Sequence, residues 1–133
     1  MEGSQLQRLV EIMDRLRSPG GCPWDAEQSH ESLLKYLLEE SYEFVDAVQS
    51  GNRIDMREEL GDILLQVYFH ARIAEEDPND PFSIQDVAQA IADKLIRRHP
   101  HVFAGVELHD SIEVLQNWEE IKKAEKGRTS ALD

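Results

Sequence analysis

Cys22 is the only cysteine, so no internal disulfide can form, and a reducing compartment suits the chain. No apolar run approaches the roughly 18–20 residues that a membrane span requires. Strand-like alternation, linkers and low-complexity tracts are missing as well. The opening residues Met1-Glu2-Gly3-Ser4-Gln5 lack the basic flank and apolar block of a secretion signal, so a cytoplasmic location is expected. Basic residues are scarce: 14 Lys and Arg stand against 27 Asp and Glu, a net charge of −13. Duplex DNA and anionic membranes would be repelled by such a surface, which excludes a general nucleic-acid or membrane binder. A phosphate-bearing ligand would be repelled too unless cations intervened. The acids are therefore either a solvating coat or gathered to hold metal.

What the sequence does have is helical periodicity. Its 133 residues suit one domain, and 41% hydrophobic residues are enough for a core. Leu6, Leu9, Val10, Met13 and Leu16 recur at three- and four-residue steps behind a possible Ser4 cap, and Ser18-Pro19-Gly20-Gly21 ends that helix. Cys22-Pro23-Trp24-Asp25 reads as a loop. A second helix carries Leu34, Leu37, Leu38, Phe44, Val45 and Val48 and stops at Gly51. The third is expected to open near Asp55, with Glu58 in capping-box spacing, and to run through Leu60, Ile63, Leu64, Val67 and Ala71 to the turn at Asp77-Pro78. A fourth starts at Ser83 and ends before Pro100; a fifth runs from Asp110 or Ser111 to Gly127. The pattern predicts an all-α bundle of about five helices, completed by dimerisation through the two long central ones.

Two segments share one acidic pattern. Glu39-Glu40-Ser41-Tyr42-Glu43 lies in the second helix and Glu58-Glu59-Leu60-Gly61-Asp62 in the third, each reading Glu-Glu-x-x-acid. At roughly 100° per residue, Glu40 and Glu43 stand about 60° apart, beside the stripe through Leu37, Ser41, Phe44 and Val48. Glu59 and Asp62 stand in the same way beside Leu60, Ile63 and Val67. Packing the stripes together brings four carboxylates to one rim of the core. Without a cation they would repel one another, and an oxygen-only donor set favours Mg²⁺ or Mn²⁺ over zinc. A single Glu-x-x-Glu is more often a solvated face; two in matched phase shift the balance toward a metal site.

These residues closely resemble the MazG domain. The resemblance is carried by Gly21-Cys22-Pro23-Trp24-Asp25, Gln28, Glu39-Glu40-x-x-Glu43, Glu59-Leu60-Gly61-Asp62, Lys94-Leu95-Ile96-Arg97-Arg98-His99-Pro100-His101-Val102-Phe103 and Asn117-Trp118-Glu119-Glu120-Ile121-Lys122. It covers about residues 5 to 126 of a single MazG-like domain spanning 1–133, with 127–133 expected as a flexible tail. Many MazG proteins carry two such domains in tandem; this chain has one. The resemblance implies hydrolysis of nucleoside triphosphates between the α and β phosphates, with Glu40, Glu43, Glu59 and Asp62 on Mg²⁺. It also implies a homodimer or homotetramer with the site near the subunit interface. Family members range from broad hydrolysis to removal of non-canonical nucleotides.

Around this centre, Glu39 is a candidate to orient or deprotonate the attacking water, or an exposed helix acid. Lys94 and Arg98 lie four apart with Arg97 close by, a basic knot that phosphate charge would explain and that salt bridges at a helix C-terminus would explain equally. The resemblance adds Lys94 and Arg98 as phosphate contacts, Trp118 as a base or ribose contact and Lys122 as a phosphate contact. Trp24 and Gln28 precede the metal helix, where they could meet base or ribose; Trp24 could equally plug the end of the bundle. Cys22 reads as a small packed residue, and His99-Pro100-His101 as a structural turn. Two other functions compete. A di-iron bundle needs two Glu-x-x-His motifs, and only Glu27-Gln28-Ser29-His30 fits. An acidic helical dimer that binds a metal, a nucleotide or a partner without turnover is the stronger rival.

Overall fold

A computed structural model describes residues 3–126 of the chain; the tail expected at 127–133 lies outside the described residues. Ser4 does cap the first helix, α1 (Gln5–Arg17), its side chain accepting from the backbone N–H groups of Leu6 and Gln7. The stretch read as a loop contains a short helix, α2 (Pro23–Glu27), which begins on Pro23, where a fixed φ and a missing N–H suit the first helical position. Ser29 and Ser32 close a reciprocal capping box at the head of α3 (His30–Ser50). Gly51 ends α3 with φ +71°, a conformation that costs glycine little.

The next helix, α4 (Arg53–Ala74), starts two residues earlier than the periodicity suggested. Asn52 takes the capping role instead of Asp55, accepting from the N–H groups of Ile54 and Asp55 at 3.1 Å each. After an Asp77 turn come α5 (Ile84–Arg98), α6 (Pro100–Phe103) and α7 (Ser111–Lys126). The five long helices are those the apolar spacing marks. Both short ones open on a proline inside a stretch read as a loop or turn, too brief for periodicity to register. No strand occurs among the described residues, and none of their helices is long and apolar enough to cross a membrane.

The chain divides into two compact units between Val87 and Ala88. In the first, α3 and α4 pack along each other, and α1 packs on α4 and α2. Met13, Leu33, Tyr68 and Phe69 form the buried centre, with Leu9, Val10, Leu64 and Leu65 against it. Near the head of α3, the Nδ1 atoms of His30 and His70 lie 2.7 Å apart, within hydrogen-bond distance. Burial, followed by the neighbouring His30, holds the His70 imidazole below its ordinary pKa. In the second unit, Glu125 is buried and accepts from Arg97 Nε and, at 2.7 Å, from Arg98 Nη2.

Much apolar surface of α3 and α4 is left open within one chain. Leu34, Leu38, Val45 and Val48 on α3, and Ile54 and Leu60 on α4, are all exposed. This corrects the phase argument in one respect. Val48, Leu60 and Val67 are exposed, whereas Leu33 and Ala47 of α3 and Tyr68, Phe69, Ala71 and Ala74 of α4 are buried.

Candidate metal centre

The four acids nevertheless meet. Glu40, Glu43, Glu59 and Asp62 each offer a carboxylate oxygen, and these oxygens all lie within 4.8 Å of one another. Two uninterrupted helices, antiparallel neighbours across the Gly51 turn, bring them together. Three-residue spacing stacks each pair on the side facing the other helix. Glu40 and Glu59 are half-buried, and Glu43 is exposed.

The electrostatics are those of four carboxyl groups crowded at one rim. Desolvation first, then the charges of Asp62 and Glu43, pushes the Glu40 carboxyl up to about 7. Desolvation, then Glu43, raises Glu59 as well. Glu40 Oε2 and Glu59 Oε2 are buried with no hydrogen-bond partner among the described residues. Orphaned buried acceptors are uncommon in folded proteins. A hard divalent cation would satisfy both and offset the repulsion, so the donor set fits one.

Next to the quartet is an open groove of about 310 Å³ lined by Glu43, Asp46, Ala47, Ser50, Asp55 and Glu59. Asp46 and Asp55 did not figure in the sequence argument. Their signal was present: Asp46 follows Glu43 by three residues and Asp55 precedes Glu59 by four, extending both acidic lines in phase. Glu39 and Glu58 are exposed.

A family model described as the MazG nucleotide pyrophosphohydrolase domain matches residues 28–103. This chain belongs to that family. Relatives of the MazG domain include a nucleoside triphosphate pyrophosphohydrolase of Mycolicibacterium smegmatis, 54% identical over 98% of this chain and 40% of that protein. One of the same name from Escherichia coli K12 is 49% identical over 98% of this chain and 50% of its own length. The crystal structure of a mazG-related protein from Thermotoga maritima superposes with a TM-score of 0.72 at 32% identity, covering 88% of this chain and 98% of that one. The chain thus spans about half or less of these two named relatives, and nearly all of the solved one.

The remaining candidate residues of this MazG domain fall in both units. In the first, Trp24 is 49% exposed and stands edge-on to Tyr36, ring centres 5.9 Å apart. Gln28 is engaged at both ends: Nε2 donates to Trp24 O at 2.9 Å, and Oε1 accepts from Ser32 Oγ at 2.7 Å. In the second, Lys94 is exposed, whereas Arg97 and Arg98 both pair with Glu125. These two arginines pull the Glu125 carboxyl down to about 2. The Arg98 guanidinium also lies 5.8 Å from the centre of the Trp118 ring, and His99 meets the same ring edge-on at 5.2 Å. Lys122 is half-buried. The salt-bridge reading of Arg97 and Arg98 therefore describes this structure, and His99 forms part of the Trp118 cluster.

Proposed function

We propose that this chain hydrolyses nucleoside triphosphates to the monophosphate and pyrophosphate with Mg²⁺, or Mn²⁺, held by Glu40, Glu43, Glu59 and Asp62. The observation that carries the proposal is the convergence of those four carboxylates, with two buried oxygens left unpartnered. The names of the relatives support the reaction class. Bound there, the cation would neutralise phosphate charge and polarise the reacting phosphoryl group, which an acidic chain otherwise repels.

The chain's own residues have distinct tasks. The four acids fix the cation's place on two rigid helices. Glu39, exposed one residue before Glu40, orients the water and accepts its proton. The water oxygen bonds to the α-phosphorus, the bond from that phosphorus to the bridging oxygen breaks, and the bridging oxygen leaves on pyrophosphate. Trp24 offers a ring face to base or ribose, with Gln28 holding its backbone, and Trp118 is assigned a similar contact. Lys94, Arg97, Arg98 and Lys122 are assigned to the phosphates. Exposed Leu34, Leu38, Val45 and Leu60 support pairing of α3 and α4 with a second copy, as a homodimer or homotetramer. Removal of non-canonical nucleotides is the role proposed for the activity.

Phosphorus NMR of the chain incubated with Mg²⁺ and each canonical triphosphate tests the reaction. Pyrophosphate and monophosphate are expected in equal amounts. Orthophosphate and diphosphate would contradict the assigned bond, and no product from any canonical or modified triphosphate would favour binding without turnover.

A further inference from the structure

Between α1 and α3 one guanidinium is committed on every side. Arg17, the last residue of α1, has a side chain only 6% exposed. Its Nη1 donates to the backbone oxygens of Asp25 at 2.6 Å and Gln28 at 3.0 Å. Nε and Nη2 donate to the two carboxylate oxygens of Glu76 at 2.8 and 2.7 Å, a bidentate fork. Glu76 also accepts from Arg72 at 3.0 Å, and Arg72 reaches Asp14 at 3.1 Å. The clamp thus joins α1, the end of α4 and the segment carrying α2.

The need for it follows from the length of α2. A five-residue helix cannot sustain itself, and of its own C-terminal bonds it has only a long one, from the Gln28 N–H to Asp25 O at 3.3 Å. Arg17 adds a second donor to Asp25 O and one to Gln28 O, just past the helix. What α2 carries is Trp24, seated edge-on against Tyr36 with half its surface open. Tyr36 precedes Glu40 by four residues, one turn away on the same face of α3. The clamp therefore holds an aromatic ring over the turn that leads into the carboxylate quartet.

We propose that Arg17 is a positioning residue for substrate, holding Trp24 against Tyr36, one helical turn before Glu40, by tying the carbonyls of Asp25 and Gln28 to Glu76. This rests on the hydrolase reading above and assigns a specific task to a residue outside the site. Lysine cannot replace it, because one ammonium cannot span two carbonyls and both oxygens of a carboxylate.

The test uses Arg17→Ala and Arg17→Lys in the full chain, assayed with Mg²⁺ and the triphosphate that the parent cleaves fastest. KM is expected to rise about tenfold, the weight of one lost aromatic contact, with kcat within about threefold and Mn²⁺ binding unchanged. Fluorescence anisotropy of Trp24, read in a Trp118→Phe background, is expected to fall. Millimolar guanidinium ion should restore both readings in the alanine variant and not in the lysine variant. Unchanged anisotropy, or lower anisotropy with unchanged KM, overturns the proposal. If the Arg17 variants lose fold and Mn²⁺ binding together, the milder Glu76→Gln decides: it must raise KM with Mn²⁺ binding intact, and a normal KM refutes the clamp. A parent that releases no pyrophosphate overturns both readings; only that result bears on the hydrolase reading itself.

Discussion

Glu40→Gln is expected to stabilise the metal-free fold while abolishing turnover. In chelator at pH 8, Glu40 is charged although its carboxyl has moved from 4.5 to about 7, so the folded state carries the cost of that charge. At full weight the displacement corresponds to about 3 kcal/mol; at a rim open to water, screening reduces it to about 1–2 kcal/mol. The sign follows from proton binding. Between about 7 and 4.5 the folded carboxyl holds a proton that the unfolded one lacks, so this group's penalty fades as pH falls through 7 and is gone below 4.5. Glutamine keeps the shape, removes the charge, and can donate to the neighbouring carboxylates. Thermal unfolding followed by circular dichroism, at fixed protein concentration, should show the metal-free variant about 3–6 °C more stable than the parent at pH 8. The advantage should shrink by pH 5. Mg²⁺ should raise the parent's midpoint and leave the variant's unchanged. A metal-free variant that melts lower than its parent at pH 8, or an advantage indifferent to pH, would refute the reasoning.

Other expectations follow from the same geometry. Protons compete with metal at Glu40, so Mn²⁺ affinity should weaken as pH falls below about 7; a flat profile in calorimetric titrations from pH 8 to 5.5 would count against the site. Asp62→Asn should lower kcat at least about a hundredfold with the helical dichroism intact, and a near-normal rate would remove Asp62 from the ligand set. Glu125 lies at about 2, below its unfolded value of 4.5, so the stability it contributes is present above 4.5 and lost as pH falls toward 2. Glu125→Gln should accordingly flatten the acid limb of stability measured by dichroism, and an unchanged limb would show that the arginine pair contributes nothing there. Gly21→Ala should cost about 2–4 kcal/mol in urea unfolding, because a Cβ would lie 2.1 Å from Arg15 O and 2.5 Å from Leu16 O; a loss under about 0.5 kcal/mol would mean the turn relaxes freely.

The long helices and the quartet were legible because both express one period. Three- and four-residue spacing marks the apolar stripes, and it also stacks Glu40 on Glu43 and Glu59 on Asp62. What periodicity misses is local chemistry and the choice between partners. Prolines 23 and 100 each start a helix too short to repeat. Asn52 outcompetes Asp55 as cap by a side-chain geometry that spacing does not encode. Apolar residues such as Val48, Leu60 and Val67 read alike whether they are packed or exposed, so spacing placed the acids together but did not say which members of the stripe the chain itself covers. Arg17 was invisible for another reason: its partners lie 8, 11 and 59 residues away, a separation only the fold can close.

Binding of Mn²⁺, followed by loss of the free ion's electron paramagnetic resonance signal, tests the cation site most directly. The parent should take up at least one ion per chain at pH 8, release it to excess Mg²⁺, and lose it in the Glu40→Gln, Asp62→Asn double variant. Equal Mn²⁺ uptake by parent and double variant would contradict the account at its centre.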